Sequence, residues 1–389
     1  MILFEEAQKI LNKTPVQPET EGVKSDETLD RILAQDIVSK INVPHFNKSA
    51  MDGYAVISKD RSKEFKVIET IPAGKVPQKK VHLGECAKIM TGGIVPEAAD
   101  QVIKKELTVE EDGTMRMNGK EKNKNVCLVG EDVKKGDRVL KKGTLLRTQE
   151  VGVLASLGLD QLKVYKKPQA GIISTGSELV SPGKSIAPSQ IYDSNSYSLS
   201  AQVLKSGANL LGHKMVLDDP DKIKKAVTDF MGFCDVLLIS GGVSMGDFDY
   251  VPSILKKLGF TLHFEKVAIK PGKPTVFGTK DHQFVFGIPG NPVSTFVVFE
   301  LFIRPFLYRM MGHTYEPFLM TGVLKEKIQR RKTKRASYIP VEYKQGFIKK
   351  LPYHGSAHIH ALTRANGLLC IPRGVKEIKA GRKVHVRPI

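Results

Sequence analysis

The chain has 389 residues, 41% of them hydrophobic, and a formal net charge of +19. That length predicts roughly two to four globular domains. The apolar run from Val293 to Ile303 carries Glu300 and is too short to cross a bilayer, and Met1-Ile2-Leu3-Phe4 leads straight into Glu5-Glu6 with no secretory pattern, so a cytoplasmic protein away from membranes is expected.

Cys86, Cys127, Cys234 and Cys370 are widely spaced and form no CxxC pair, which fits a reducing compartment and argues against a structural zinc site. The basic charge is densest from Lys325 to Arg335, but no aromatic residues are interleaved there as stacking platforms for bases. A highly anionic small substrate accounts for such a charge as well as a nucleic acid does.

In chain order, residues 3–12 and 26–35 are predicted as short helices, the second capped by Ser25 or Asp26. From Asp36 to Gly143, short β-branched runs such as 65–71 and 138–140 alternate with Gly, Pro and Lys turns, predicting compact β modules; residues 120–125 read as a solvated hairpin tip. Thr148 to Leu157 is predicted as a helix with Thr148 as N-cap and Gly158 as its stop.

Strands and helices then alternate from Lys167 to Gly312. Strands are expected over 170–174, 210–217, 236–240 and 284–288, and helices over 194–204, 220–231, 250–258 and 292–311. This is the pattern of an α/β unit with a mostly parallel sheet. Residues 313–389 return to short strands and turns, a small β domain.

The chemistry concentrates on loops. In a doubly wound sheet, ligands bind outside the carboxyl ends of the strands. Three predicted strands end in glycine-rich polar loops: Ser174-Thr175-Gly176-Ser177-Glu178; Ser240-Gly241-Gly242-Val243-Ser244-Met245-Gly246-Asp247-Phe248-Asp249; and Gly287-Ile288-Pro289-Gly290-Asn291-Pro292. Converging backbone N–H groups in such turns suit phosphates and other oxyanions. Gly241 and Gly246 are spaced as in a P-loop, but Asp247-Phe248 replaces its Lys-Ser/Thr, which argues against an ordinary ATPase loop.

Glu178, Asp218, Asp219, Asp247 and Asp249 fall at the same predicted edge, where Mg²⁺ held by one or two carboxylates and phosphate oxygens would relieve their repulsion. Asp218 and Asp219 also suit the start of the helix at Pro220, and Asp249 suits an N-cap. Lys266, Lys270 and Lys273 lie on a segment stiffened by Pro271 and Pro274, a setting for oxyanion ligands as well as for solvated charge. A second set lies in the N-terminal half: Pro44 to Ala55, Ile89 to Pro96, and Gly130-Glu131-Asp132. Ordinary turn chemistry accounts for each of these taken alone.

Together these segments resemble the molybdenum insertases, the MoeA-type molybdopterin molybdenumtransferases related to the C-terminal part of gephyrin. The matching segments are Ser49 to Ala55, Met90-Thr91-Gly92, Gly130-Glu131-Asp132, Ser174 to Leu179, Tyr192-Asp193-Ser194-Asn195, Ser240 to Tyr250, Lys270 to Pro274, Gly287 to Ser294 and, more weakly, Gly355-Ser356 followed by Ala365-Asn366-Gly367. Their order spans nearly the whole chain. Adenylylating relatives share the α/β module, so the segments around Asp52 and Asp132 point to the insertase itself.

The resemblance implies an elongated homodimer of four-domain subunits, with an active site that both subunits help to form. Residues 1–40 with 136–166 would be an elongated α+β dimerisation domain. Residues 41–135 would be an inserted β-rich domain, 167–312 a doubly wound α/β molybdopterin-binding domain, and 313–389 a β-barrel-like domain. It implies that molybdate and adenylyl-molybdopterin are converted to molybdenum cofactor and AMP with Mg²⁺, alongside other proteins of cofactor biosynthesis.

By matched position, Asp52, Thr91, Asp132, Asp218, Asp249, Lys266 and Lys270 would serve catalysis, with Asp218 and Asp249 on the metal. Thr175, Gly176, Glu178, Gly241, Gly242, Ser244, Lys273, Pro289, Gly290, Pro292 and Ser356 would bind the pterin substrate. Glu178 would accept from the pterin ring, and Asp52 and Thr91 would frame its molybdate or dithiolene end.

The chain departs from the family at two places. An Arg expected before Gly130 is absent, with Cys127 or a neighbour there, and another is absent near Tyr338-Ile339-Pro340. Lys124, Lys134 and Arg335 are the candidates to restore that charge. The alternatives to an insertase are a molybdopterin-binding scaffold without metal insertion and a basic nucleic-acid-binding protein.

Overall fold

The computed structural model describes residues 1–243, 250–352 and 355–389. The chain forms two compact units, one of Met1–Gly22, Asp30–Ala34 and Lys163–Ile389, the other of Val23–Leu29 and Gln35–Leu162.

The second unit is built on a six-stranded sheet in the order Gln101–Lys104, Gly53–Val56, Glu85–Ile89, Glu64–Ile71, Thr114–Met117, Thr108–Glu111. Its two faces bury separate clusters, one around Tyr54, Phe65 and Met115 and the other around Ala55, Ile71 and Val102. Alternation along the strands produces this split, since neighbours such as Tyr54 and Ala55 point to opposite faces. Gly53 is required by close approach: a Cβ there would lie 2.0 Å from the Ile103 carbonyl oxygen of the paired strand. The helix Thr148–Ser156 is capped by Arg147, not by Thr148; Glu150 reaches back to accept from the Arg147 N–H (2.9 Å) and from its guanidinium.

The first unit contains the α/β module. Its sheet strands are β1 (Gln169–Thr175), β2 (Asn209–Val216), β3 (Val236–Ser240), β4 (Thr261–Phe264), β5 (Val276–Lys280) and β6 (Gln283–Ile288), in the order β2-β1-β3-β6-β5-β4. The first four in that order are parallel; β5 and β4 add antiparallel. The parallel core agrees with the sequence, whereas β4 and β5 flank the Lys-Pro segment and were not expected.

Helices α1 (Asn195–Lys205), α2 (Pro220–Met231) and α3 (Val251–Lys257) follow β1, β2 and β3. Ile172, Leu238 and Phe286 pack with Leu199 and Phe302 on one face, and Ile173, Leu237 and Val285 pack with Ile223, Val227 and Leu255 on the other. Both faces are covered, so the strands read as continuous apolar runs. The last helical stretch is α-helical over Pro292–Val298, π-helical over Phe299–Ile303 and α-helical again over Arg304–Met310.

The helix expected over 26–35 is absent. A 3-10 turn covers Ser25–Glu27, and Asp30 takes a left-handed φ of 59°. Residues 32–34 then run extended beside 163–165: the Tyr165 N–H donates to the Ile32 carbonyl (2.8 Å), and the Ala34 N–H to the Lys163 carbonyl (2.9 Å). Leu29, Ile32 and Leu33 have helical spacing, but strand pairing buries Ile32 and Leu33 completely and gives the Arg31 guanidinium the Tyr165 carbonyl.

The C-terminal segment closes a small barrel of Ala336–Lys344, Phe347–Lys350, Met320–Leu324, Lys383–Pro388 and Gly367–Ile371, which pairs back to Ala336–Lys344. Leu324, Val341, Ile348, Leu369 and Val386 fill it. The two-residue strand Ile269–Lys270 pairs with its Ala336 and Ser337, so the Lys-Pro segment of the α/β module is fastened to the barrel wall.

Candidate active site

The carboxyl ends of β1, β3 and β6 stand side by side, with Ser174 paired to Ser240 and Ser240 to Ile288. All three glycine loops therefore leave one edge of the sheet, as the sequence implies. Gly241 donates its N–H to the Ile288 carbonyl (3.0 Å) at a φ of +99°. A Cβ there would meet the Thr175 carbonyl oxygen at 2.3 Å, so only glycine lets the second loop lie against the first.

The buried Thr175 hydroxyl donates to the Asp218 carboxylate at the end of β2. Asp219, by contrast, is the N-cap of α2 and accepts from the Lys222 N–H at 2.9 Å, the helix-start role that the sequence left open for either acid. Gly176 is buried and Glu178 exposed, in a turn closed by the Leu179 N–H and the Gly176 carbonyl (3.2 Å). Ser244, Asp247 and Asp249 lie outside the described residues.

A cavity of about 850 Å³ opens beside this edge. From the α/β module it is lined by Lys270, Lys273, Pro289, Asn291 and Ser294; from the barrel side it is lined by Arg330, Arg331, Lys332, Arg335, Lys350 and Ser356. Thus four predicted site residues, Lys270, Lys273, Pro289 and Ser356, line one cavity. The Ser356 carbonyl also accepts from the Val293 N–H (2.9 Å), next to Pro292 in the third loop.

Among the described residues that line the cavity, none is acidic. Arg330 is spent on structure: it donates to the Val375 (2.6 Å) and Arg335 (2.8 Å) carbonyls and to the Ser337 hydroxyl (2.8 Å), and burial pushes its guanidinium down. The other cations leave a concentration of like charge that an anionic occupant relieves. Lys266 lies outside this lining; its carbonyl accepts from the Ile2 N–H at 2.9 Å.

In the sequence Lys325 to Arg335 stands as a separate basic run, and nothing local assigns Arg331, Lys332 or Lys350 to a site. The available signal was the charge density itself; the barrel topology that turns it toward the Lys-Pro loop is not local. Arg335, a candidate to offset the missing barrel arginine, does face the cavity.

The other unit gathers a second set. The exposed Asp52 accepts from both the N–H and the hydroxyl of Thr91, each at 2.7 Å. These two bonds, with the charge of Lys105, hold its carboxyl below the ordinary value of 3.8. Asp132 follows Gly130, whose N–H donates to the Pro44 carbonyl (2.9 Å), while the Val129 N–H donates to Asn47 Oδ1 (2.9 Å).

Val126 and Cys127 pair with Ser49 and Lys48, and the Gly92 N–H donates to the Ser49 carbonyl (2.8 Å). Three segments distant in sequence thus make one loop cluster. Cys127 supplies no cation, and burial together with Glu131 pushes its thiol up. Lys124 is paired with Asp100 at 3.2 Å.

The fold defines a multidomain protein whose α/β module presents three glycine-rich loops at one sheet edge, beside a cation-lined cavity. Three family profiles match in order: MoeA N-terminal region (domain I and II) over residues 2–158, probable molybdopterin binding domain over 171–309, and MoeA C-terminal region (domain IV) over 321–389. The molybdopterin molybdenumtransferase of Haemophilus influenzae is 34% identical over 399 residues, covering 100% of this chain and 98% of that protein. That of Bacillus subtilis is also 34% identical, covering 95% of this chain and 90% of that protein. The crystal structure of the molybdopterin biosynthesis moeA protein from Pyrococcus horikoshii OT3 superposes with a TM-score of 0.87 at 31% identity, covering 100% of both chains. The chain belongs to the molybdopterin molybdenumtransferase family.

Proposed function

We propose that this protein inserts molybdenum from molybdate into adenylyl-molybdopterin and releases AMP. The observation that carries the reading is the cavity in which Lys270 and Lys273 meet Arg331, Lys332, Arg335 and Lys350 with no described carboxylate in the lining. Both substrates are oxyanions or carry phosphates, and fixed cations in a recess attract and orient such groups.

In this reading the glycine-loop amides and the two loop lysines hold the phosphates. Pro289 and Ser356 shape the recess, with Pro292 assigned beside them in the third loop, and the Glu178 carboxylate accepts from pterin N–H groups. Asp218, oriented by the Thr175 hydroxyl, positions water for attack at phosphorus, a task of placement and electrostatics. Lys266 adds positive charge nearby. Asp52, clasped by Thr91, and Asp132 are assigned to the molybdate end.

Asp218 also fits Mg²⁺: it is half-buried, one carboxylate oxygen accepts from Thr175, and among the described residues no hydrogen bond engages the other. Such a lone hard oxygen donor suits Mg²⁺, which takes one or two carboxylates plus phosphate oxygens. Asp218, with Asp249, would hold the ion, which when bound offsets phosphate charge.

No helix among the described residues is long and apolar enough to cross a membrane. The four free cysteines fit the reducing cytoplasm proposed as its setting. The proposal extends to a homodimer whose active site draws on both subunits and to exchange with other cofactor-biosynthesis proteins. The test is to incubate pure protein with adenylyl-molybdopterin, molybdate and Mg²⁺ and to assay AMP and active cofactor. Both products are expected. AMP without cofactor would sink the insertion step, and neither product would sink the reading.

A further inference from the structure

The segment Tyr192-Asp193-Ser194-Asn195 has no role in the reading above, yet it touches all three strand ends of the site. Asp193, 3% exposed, accepts from the Ser174 hydroxyl (2.6 Å), the Ser196 N–H (3.0 Å) and the Ser196 hydroxyl (2.6 Å). It therefore anchors the start of α1 to the end of β1. Asn195 reaches the other two ends, donating from Nδ2 to Ser240 Oγ (2.9 Å) on β3 and to the Gly290 carbonyl (2.7 Å) in the loop after β6.

The amide orientation is settled by chemistry, because a carbonyl only accepts and the NH₂ must face Gly290. Both N–H groups are thereby used. Oδ1 is enclosed by protein and has no partner among the described residues. An enclosed acceptor without a donor is a cost that packing alone does not explain. The two loops joined by Nδ2 are also in close approach: a Cβ on Gly290 would lie 3.7 Å from the Gly241 Cα.

We propose that Asn195 is a positioning residue: its amide is a strut between the Ser240–Gly241 loop and the Pro289–Gly290 loop and sets the gap in which their backbone groups meet the substrate. This rests on the function proposed above for that edge. Asp193 fixes the strut to β1, so three loops are referenced to one short segment. Asn195→Asp keeps the shape and replaces the donor facing Gly290 with an acceptor; Asn195→Ala removes the strut.

The experiment pairs kinetics of AMP release from adenylyl-molybdopterin with amide hydrogen exchange of the free protein. In both variants, exchange at Gly241, Gly290 and Asn291 is expected to rise about tenfold while strand amides such as those of Ile172, Leu238 and Phe286 hold their wild-type protection. The kcat is expected to fall about 10- to 100-fold with KM shifted less than about threefold, because loss of placement acts on the reacting geometry. Loop exchange unchanged in both variants overturns the proposal, as does a kcat loss accompanied by faster exchange throughout the strands. A wild-type protein that releases no AMP would refute the proposed function, and the exchange arm would still decide the strut.

Discussion

Replacing Gly241 with alanine tests whether the glycine loops must lie against one another. The new Cβ would stand 2.3 Å from the Thr175 carbonyl oxygen, at a φ of +99°. Contact optima near 3.5 Å require one loop to retreat by about 1 Å. The disfavoured backbone region costs about 1–3 kcal/mol. Losing the bond from the Gly241 N–H to the Ile288 carbonyl adds about 1 kcal/mol.

The sum, roughly 2–4 kcal/mol, lowers the melting temperature by about 4–16 °C for a unit of this size. A 1 Å displacement at the site lowers the rate about 100-fold. The matched control is Gly232→Ala, since Gly232 ends α2 with a φ of −75° and has nothing within 4 Å of its Cβ position. Thermal melts and AMP-release kinetics on both variants provide the measurement. If Gly241→Ala behaves like Gly232→Ala in both, the close-approach reasoning is refuted.

The double variant Lys270→Gln/Lys273→Gln removes two exposed charges from the cavity. At about 1 kcal/mol each in near-aqueous surroundings, KM should rise about 30-fold and lose much of its salt dependence, measured by AMP release at low and high ionic strength. Equal KM values in variant and wild type would contradict the cavity assignment.

The Asp52 carboxyl, depressed in the folded state by the Thr91 N–H and hydroxyl, contributes stability above its unfolded value and loses it as pH falls through the lower folded value. The clasp should therefore weaken only on acidification below 3.8. Carboxyl-carbon NMR should place the Asp52 midpoint below 3.8, and Thr91→Val should move it back toward that value; identical titrations in the two proteins would count against the clasp.

Glu300, with a side chain 3% exposed, accepts from Arg304 at 2.8 and 2.7 Å. Glu300→Ala strands a buried guanidinium and should cost about 3–5 kcal/mol in urea unfolding. A loss under about 1 kcal/mol would show that Arg304 finds water or another acceptor.

Much of the architecture was legible in the sequence. Strands such as Val236–Ser240, buried on both faces, are uninterrupted apolar runs, and helices such as Pro220–Met231 carry their own start signal and a buried stripe at Ile223, Ala226 and Val227. Local pattern failed at 26–35, where helical spacing gave way to pairing with a segment more than a hundred residues away, and at Thr148, where the Arg147–Glu150 pair placed the cap one residue earlier. The loop residues Thr175, Gly241 and Gly290 were recognisable because glycine and hydroxyl chemistry is written locally and parallel strands must present their carboxyl ends together.

The sequence by itself therefore determined most of the elements, the sheet edge and the identity of most candidate residues. Only the tertiary structure decided their company. Pairing of Ile269–Lys270 with Ala336–Ser337 brings the Lys-Pro loop and the basic run from Arg330 to Arg335 around one cavity. The folding of three distant loops places Thr91 on Asp52, and Asn195 becomes a strut between two loops. Such contacts arise from strand register and barrel closure, which are settled by packing across the chain and have no signature in the spacing of neighbouring residues.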